Sequence, residues 1–119
     1  MHHNLAMGEQ GEQLAADYLS KQGYRIVERR FRCKLGEIDI IAQDGSQLLF
    51  VEVKTRKNTT FGNPSEAVSH KKQQNIIHTA LQYLSYKRQQ NTPCRFDIVE
   101  VILDKGKASV NHIPNAFGR

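Results

Sequence analysis

Two apolar stretches set across a turn constrain this chain more than any other feature. Residues 36–42 read Gly-Glu-Ile-Asp-Ile-Ile-Ala and residues 48–55 read Leu-Leu-Phe-Val-Glu-Val-Lys-Thr. Both are strand-like, and Asp44-Gly45 between them is a strong hairpin signal. Side chains alternate faces along a strand, so Glu37 and Asp39 share a face, as do Glu52 and Lys54. With a two-residue Asp44-Gly45 loop, Gln43 pairs with Ser46. Asp39 then lies opposite Phe50, and Glu37 opposite Glu52. All four polar groups project from one side of the hairpin. A loop of odd length would place the two strands' polar sets on opposite faces.

The rest of the chain supplies elements to cover this hairpin. Leu14, Ala15, Tyr18 and Leu19 recur at helical spacing and predict a helix over 8–22, stopped by Gly23. A strand is predicted over 24–31, carrying Ile26 and Val27. After a polar loop over 55–63, a long helix is predicted over 64–89, with Pro64 suited to its first turn. Its apolar stripe is Val68, Ile76, Ile77, Ala80, Leu81 and Leu84. A strand follows over 95–103, then a Lys105-Gly106 turn and a short strand over 109–113. The order α-β-β-β-α-β-β implies an α/β architecture with a mixed central sheet flanked by helices. At 119 residues, without repeats or linkers, one domain over 1–119 is expected.

Three carboxylates and a lysine on one patch need an explanation. Like charges brought together are unfavourable unless something neutralises them. The neighbouring Ile40-Ile41 and Leu48-Leu49-Phe50-Val51 are apolar, and uncompensated buried charge is costly. A divalent cation with oxygen ligands removes the conflict, and Mg²⁺ uses only one or two carboxylates besides water and phosphate. The plainer alternative is a half-exposed hairpin whose charges are satisfied by cross-strand ion pairs. Elsewhere, Glu12 falls at the edge of the first helix's apolar stripe, where it faces either solvent or the sheet. Lys72 interrupts the second helix's stripe between Val68 and Ile76, and Gln73 precedes Ile77 at the same spacing. Each could reach toward the hairpin or simply snorkel from the core edge.

The formal net charge is +5. Basic residues come in groups: Arg25, Arg29, Arg30, Arg32 and Lys34; Lys54, Arg56 and Lys57; Lys71 and Lys72. This balance suits a nucleic-acid partner, because phosphate neutralisation releases counterions. No apolar run is long enough to span a bilayer, and no apolar leader precedes the first helix. The expected location is the cytoplasm, with Cys33 and Cys94 as reduced thiols rather than a disulfide.

The ordered set of these residues resembles a known family. Gly-Glu-Ile-Asp-Ile-Ile at 36–41 followed by Phe-Val-Glu-Val-Lys-Thr-Arg at 50–56 resembles the PD-(D/E)XK nuclease motif. Gly11-Glu12-Gln13-Leu14-Ala15-Ala16-Asp17-Tyr18-Leu19 resembles its leading helix. Ala67-Val68-Ser69-His70-Lys71-Lys72-Gln73 resembles its later helix, and Arg95-Phe96-Asp97-Ile98-Val99 and Asn115-Ala116-Phe117 continue the pattern. Together they resemble the bacterial YraN family, which is related to archaeal Holliday junction resolvases. Ile38 replaces the proline of the motif's name, which carries no chemistry.

The resemblance implies a restriction-endonuclease-like fold with an αβββαβ core. It implies Asp39 and Glu52 as ligands of Mg²⁺ or Mn²⁺, with the Val53 carbonyl as an extra ligand. Glu12 would complete the acidic set, Lys54 would orient or activate water, and Lys72 or Gln73 would support the site. Arg56, Lys57 and Lys71 are further candidates for holding nucleic acid. Asp97 is open between a site role and a structural hydrogen bonder. Phe61 is open between stacking on a base and packing. The expected activity is endonucleolytic cleavage of DNA, branched or junction DNA included. The alternative is a non-catalytic nucleic-acid-binding protein with a nuclease fold. A chain this short would need a homodimer to cover a four-way junction.

Overall fold

The computed structural model describes residues 2–57 and 68–118. Helix α1 (His2–Lys21) is followed by β1 (Arg25–Cys33), β2 (Gly36–Asp44) and β3 (Gln47–Arg56). Helix α2 (His70–Tyr86), β4 (Cys94–Asp104) and β5 (Lys107–Phe117) complete the order. The strands lie in one sheet in the order β1-β2-β3-β4-β5. β3 and β4 are parallel across α2, and the other neighbours are antiparallel. This is the expected α/β architecture: a mixed sheet with an αβββαβ-type core and β5 added at its edge.

Alternation divides the sheet's apolar side chains between two faces. Leu48, Phe50, Phe96 and Ile98 pack with Ile76, Ile77, Ala80, Tyr83 and Leu84 of α2. Leu49, Val51, Val99 and Val101 pack with Ala15, Ala16 and Leu19 of α1. β3 and β4 are therefore covered on both sides, which explains why their sequences read as almost continuous apolar runs. Each fully buried aliphatic side chain contributes roughly 1.5–3 kcal/mol. No described helix is long and apolar enough to cross a membrane. Cys33 and Cys94 are both thiols.

Four sequence expectations change. The β2–β3 turn is Gly45-Ser46, with Asp44 paired to Gln47, so the register differs by two residues from the expected one. Only Gly45 of the pair has a positive φ, 59°, as a turn led by glycine requires. A shift of two preserves parity but brings Asp39 into line with Glu52 instead of Phe50. Helix α2 is also shorter than predicted at both ends. Ser69 is extended, and its side chain accepts the Lys72 N–H, capping a helix that starts at His70. The Pro64 start and the Phe61 loop position lie outside the described residues. At the other end Arg88 takes a left-handed φ of 55°. Arg88 N–H then donates to the Ser85 carbonyl and Gln89 N–H to that of Leu84, a Schellman ending made without glycine. Leu81, assigned to the buried stripe, is exposed, and Tyr83 takes the core position instead. The final strand is longer than expected; it tolerates Pro114 because β5 is an edge.

One glycine fixes the distance between α1 and the sheet. A Cβ at Gly11 would sit 1.9 Å from Thr55 Oγ1, so α1 crosses β3 in close contact one residue beyond Lys54. Gly11→Ala gains up to about 1 kcal/mol of helix propensity, but the overpacking is expected to outweigh it. A net loss of about 1–2 kcal/mol in denaturant unfolding is expected. An unchanged or raised midpoint would show that the close approach does not constrain the helix.

Candidate active site

β2 and β3 pair from Asp44/Gln47 to Ile40/Val51 and then separate. Past that point β2 continues beside β1, through Phe31↔Ile38, Arg32↔Glu37 and Cys33↔Gly36. β3 continues beside β4, from Glu52↔Ile98 to Arg56↔Ile102. The sheet is forked, and Asp39 stands at the branch. Its Oδ2 accepts the Val53 N–H at 2.8 Å, replacing the ladder bond that the fork removes.

β2 also changes face here. Ile40 packs in the α1-side cluster and Ile38 in the α2-side cluster. In a regular strand these two residues would share a face. On β1 the residue facing the break is Arg30, which has a φ of 55° and is missing from the ladder between Arg29↔Ile40 and Phe31↔Ile38. Both strands are therefore irregular at the same level.

The four hairpin residues are accordingly brought together, but not all in the same way. A cleft of about 440 Å³ is lined by Glu12, Glu37, Asp39, Val53 and Lys54, together with Arg30, Arg32 and the first half of α1. Glu52 does not line it. Its carboxyl is buried against Asp39 and is shared by Lys72 Nζ at 3.5 Å and Lys54 Nζ at 3.9 Å. Burial pushes the Asp39 carboxyl up to about 8. The charge of Glu52 adds to the rise, as do a hydrogen bond to Glu52 and the charge of Glu12, and the Val53 N–H opposes it.

The donor set fits a divalent cation. Burial, and after it the neighbouring Glu52 charge, pushes the Asp39 carboxyl up, toward the form that carries a proton. A cation between the two carboxyls would take the place of that proton. Among the described residues no three His, Cys, Asp or Glu side chains converge to hold a metal by themselves. Two carboxylates, the Val53 carbonyl and oxygens from water or phosphate would complete the shell, as suits Mg²⁺ or Mn²⁺.

The remaining expected residues are placed as follows. Glu12 is buried and faces the sheet, but it is held by arginines. Arg29 Nη2 and Arg30 Nε both lie 3.1 Å from its Oε1. Lys72 Nζ reaches Glu52 from α2, whereas Gln73 Nε2 donates to the Val68 carbonyl at 2.9 Å and braces the entry to α2. Arg56 turns to the buried Glu100, its ion-pair partner on β4. Lys57 is exposed beside the exit of β3, and Lys71 is exposed on the first turn of α2. Asp97 lies apart, completely buried. It accepts bonds from both Arg95 nitrogens at 2.8 Å and from the Asn115 N–H, and His112 Nε2 lies 2.7 Å away. Burial alone would raise its carboxyl; the bonds from His112, Arg95 and Asn115 outweigh this and hold it below the ordinary range. Asp97 is thus placed in a buried hydrogen-bonding network and does not line the cleft.

Arg30 and Arg32 were counted only as charge in the sequence, yet both line the cleft. Their alternation on the strand next to β2 could have marked them, had the β1–β2 register been known.

The profile of Uncharacterised protein family UPF0102 matches residues 11–101. The chain belongs to this family. A UPF0102 protein of Caldanaerobacter subterraneus subsp. tengcongensis is 51% identical over 114 residues, covering 93% of each chain. One from Clostridium botulinum is 50% identical over 121 residues, covering 98% of each. A third, from Geobacter metallireducens, is 45% identical over 115 residues, covering 97% of this chain and 94% of its own. The UPF0102 match spans Glu12, Asp39, Glu52, Lys54 and Lys72, and so the whole of the forked site.

The raised Asp39 carboxyl has a consequence for stability. The folded protein binds this proton more tightly than the unfolded chain does, from the ordinary value of 3.8 up to about 8. Over that window the Asp39 contribution to stability falls as pH rises, and it levels off above about 8. In EDTA, Asp39→Asn should gain in melting temperature relative to the parent across this range and hold a constant difference above it. A difference independent of pH would mean that neither burial nor the Glu52 charge raises the Asp39 carboxyl.

Proposed function

We propose that this chain is a divalent-metal-dependent phosphodiesterase acting on DNA. The observation that carries the reading is the pair of carboxyls, Asp39 and Glu52, pressed together at the sheet's fork beside Lys54. The formal charge of +5 adds a surface suited to phosphate.

Asp39, Glu52 and the Val53 carbonyl would hold Mg²⁺ or Mn²⁺. When bound, such an ion polarises a phosphoryl oxygen and lowers the pKa of water. The chain's own residues do the rest. Val53 N–H fixes one Asp39 oxygen, Oδ2, and so sets the orientation of the carboxyl at the cleft. Lys72 and Lys54 together hold Glu52 in place. The Lys54 ammonium also lines the cleft, where it would stabilise charge developing on the phosphate as water adds to phosphorus and the P–O bond breaks. Arginine-bound Glu12 adds negative potential at Asp39. No base-reading motif is needed for this chemistry, because phosphate contacts position the backbone without reading sequence. Cutting a four-way junction would require two copies of the chain.

One observation favours a second reading, a nucleic-acid-binding protein that does not cleave. Glu12, the acid the first helix would add to the set, is already held by Arg29 and Arg30.

The two readings separate in a cleavage assay on four-way junction, flap, linear duplex and single-stranded DNA, with Mn²⁺, Mg²⁺ or EDTA. The nuclease should cut one or more of these only with metal. Glu52→Gln and Lys54→Ala should each slow it by about 100-fold or more. Tight binding with no product under either metal would reject the nuclease in favour of the binder.

A further inference from the structure

The cleft over Asp39 does not stand alone. A second cleft, of about 510 Å³, lies on the other side of Met7 of α1, and Met7 lines both. The second is lined by Lys57, Lys105, Gln10 and Leu103, with Asp104 as its one acid. Lys54 of the first cleft and Lys57 of the second are three residues apart at the end of β3, about 10 Å of extended chain. The N-terminal half of α1 therefore borders both clefts, which adjoin at Met7 as a groove beside the end of β3.

Charge along this groove is layered. Glu12 is only 10% exposed, while the Arg30 side chain it holds is 45% exposed. Glu37 is 40% exposed and its partner Arg32 71%. At each of these pairs the cation projects further than the acid beneath it. A ligand entering from solvent meets Arg30 and Arg32 at one end and Lys57 and Lys105 at the other. Lys54 and Asp39 line the cleft with the arginines. The left-handed backbone at Arg30 marks the point where β1 turns this side chain out of the regular ladder.

We propose that the two clefts form one track for a single phosphodiester backbone. Arg30 and Arg32 hold phosphates on one side of Asp39, and Lys57 and Lys105 hold phosphates on the other. The inference rests on the reading of the site as one for nucleic acid, and it makes the ligand a polynucleotide that runs past the centre on both sides. A mononucleotide would engage only one end. It also moves the contacts away from Arg56, whose guanidinium pairs with Glu100 inside the sheet.

The test is binding without cleavage. The affinity of a fluorescein-labelled DNA single strand, and of a duplex of the same sequence, is measured in EDTA by fluorescence anisotropy over a range of salt. Each neutralised phosphate contact contributes about 0.9 to the slope of log affinity against log salt for duplex, and about 0.7 for single strand. Arg30→Gln with Arg32→Gln should lower the slope by about one to two and weaken binding roughly tenfold. Lys57→Gln with Lys105→Gln should do the same. This second pair keeps the test open if loss of the Arg30–Glu12 contact disturbs folding, because Lys57 and Lys105 are exposed residues at a strand exit and a turn. Lys21→Gln, at the far end of α1, should leave the slope unchanged. Salt-sensitive binding by the parent with unchanged slopes in the Lys57/Lys105 variant would overturn the track and leave the nucleic-acid reading intact. Absence of salt-sensitive binding by the parent to either probe would overturn both.

Discussion

The hydrogen bond from Val53 N–H to Asp39 Oδ2 is the contact on which the rest of the site depends. Past Ile40 and Val51 the two central strands stop pairing with each other, yet each keeps its outer neighbour. A fork of this kind exposes backbone donors and acceptors in the middle of a sheet, where water is scarce and an unmade bond is costly. A carboxylate side chain bridging the gap answers part of that need. It also places an ionisable group at the fork, where burial penalises its charged form. Fork and acid thus support each other: the separation makes room for Asp39, and Asp39 satisfies the strand that has moved away.

The surrounding charges follow from that placement. Glu52, next after Val51, is carried to the same level and raises the cost of ionising Asp39. Lys72 reaches it from α2 and Lys54 from two residues further along β3. On the α1 side, Glu12 is neutralised by Arg29 and Arg30. Among the described residues, the buried Glu12 and Glu52 near the fork therefore each have cations beside them. Asp39 has a backbone N–H and a neighbouring carboxyl instead; burial and the Glu52 charge push its carboxyl up, and it is the group at which a metal would relieve the most repulsion.

Much of this was legible in the sequence, for identifiable reasons. The apolar runs of β3 and β4 and the spacing of Leu14, Ala15 and Leu19 gave the architecture, because burial on one or both faces imposes its own periodicity. Strand parity brought Asp39, Glu52 and Lys54 together, and it survived a turn misplaced by one residue at each side, since the resulting shift of two keeps faces intact. Parity could not foresee that β2 changes face at Asp39, because such an irregularity arises from both strands at once and leaves no mark in either. The C-terminus of α2 was overrun because its Schellman ending is built on Arg88 rather than glycine. Glu12's arginine partners, Arg56's pairing with Glu100 and the Asp97 network all depend on contacts between elements, which no local pattern encodes.

The central claim is that Asp39 and Glu52 are paired to share one divalent cation. Its most direct test is binding of Mn²⁺, followed by electron paramagnetic resonance of the free ion as it is titrated into metal-free protein at neutral pH. The expected result is one saturable site per chain, displaced by Mg²⁺ and lost in both Asp39→Asn and Glu52→Gln, with both variants folded by circular dichroism. No saturable Mn²⁺ binding by the parent protein, or binding that survives in both variants, would contradict it.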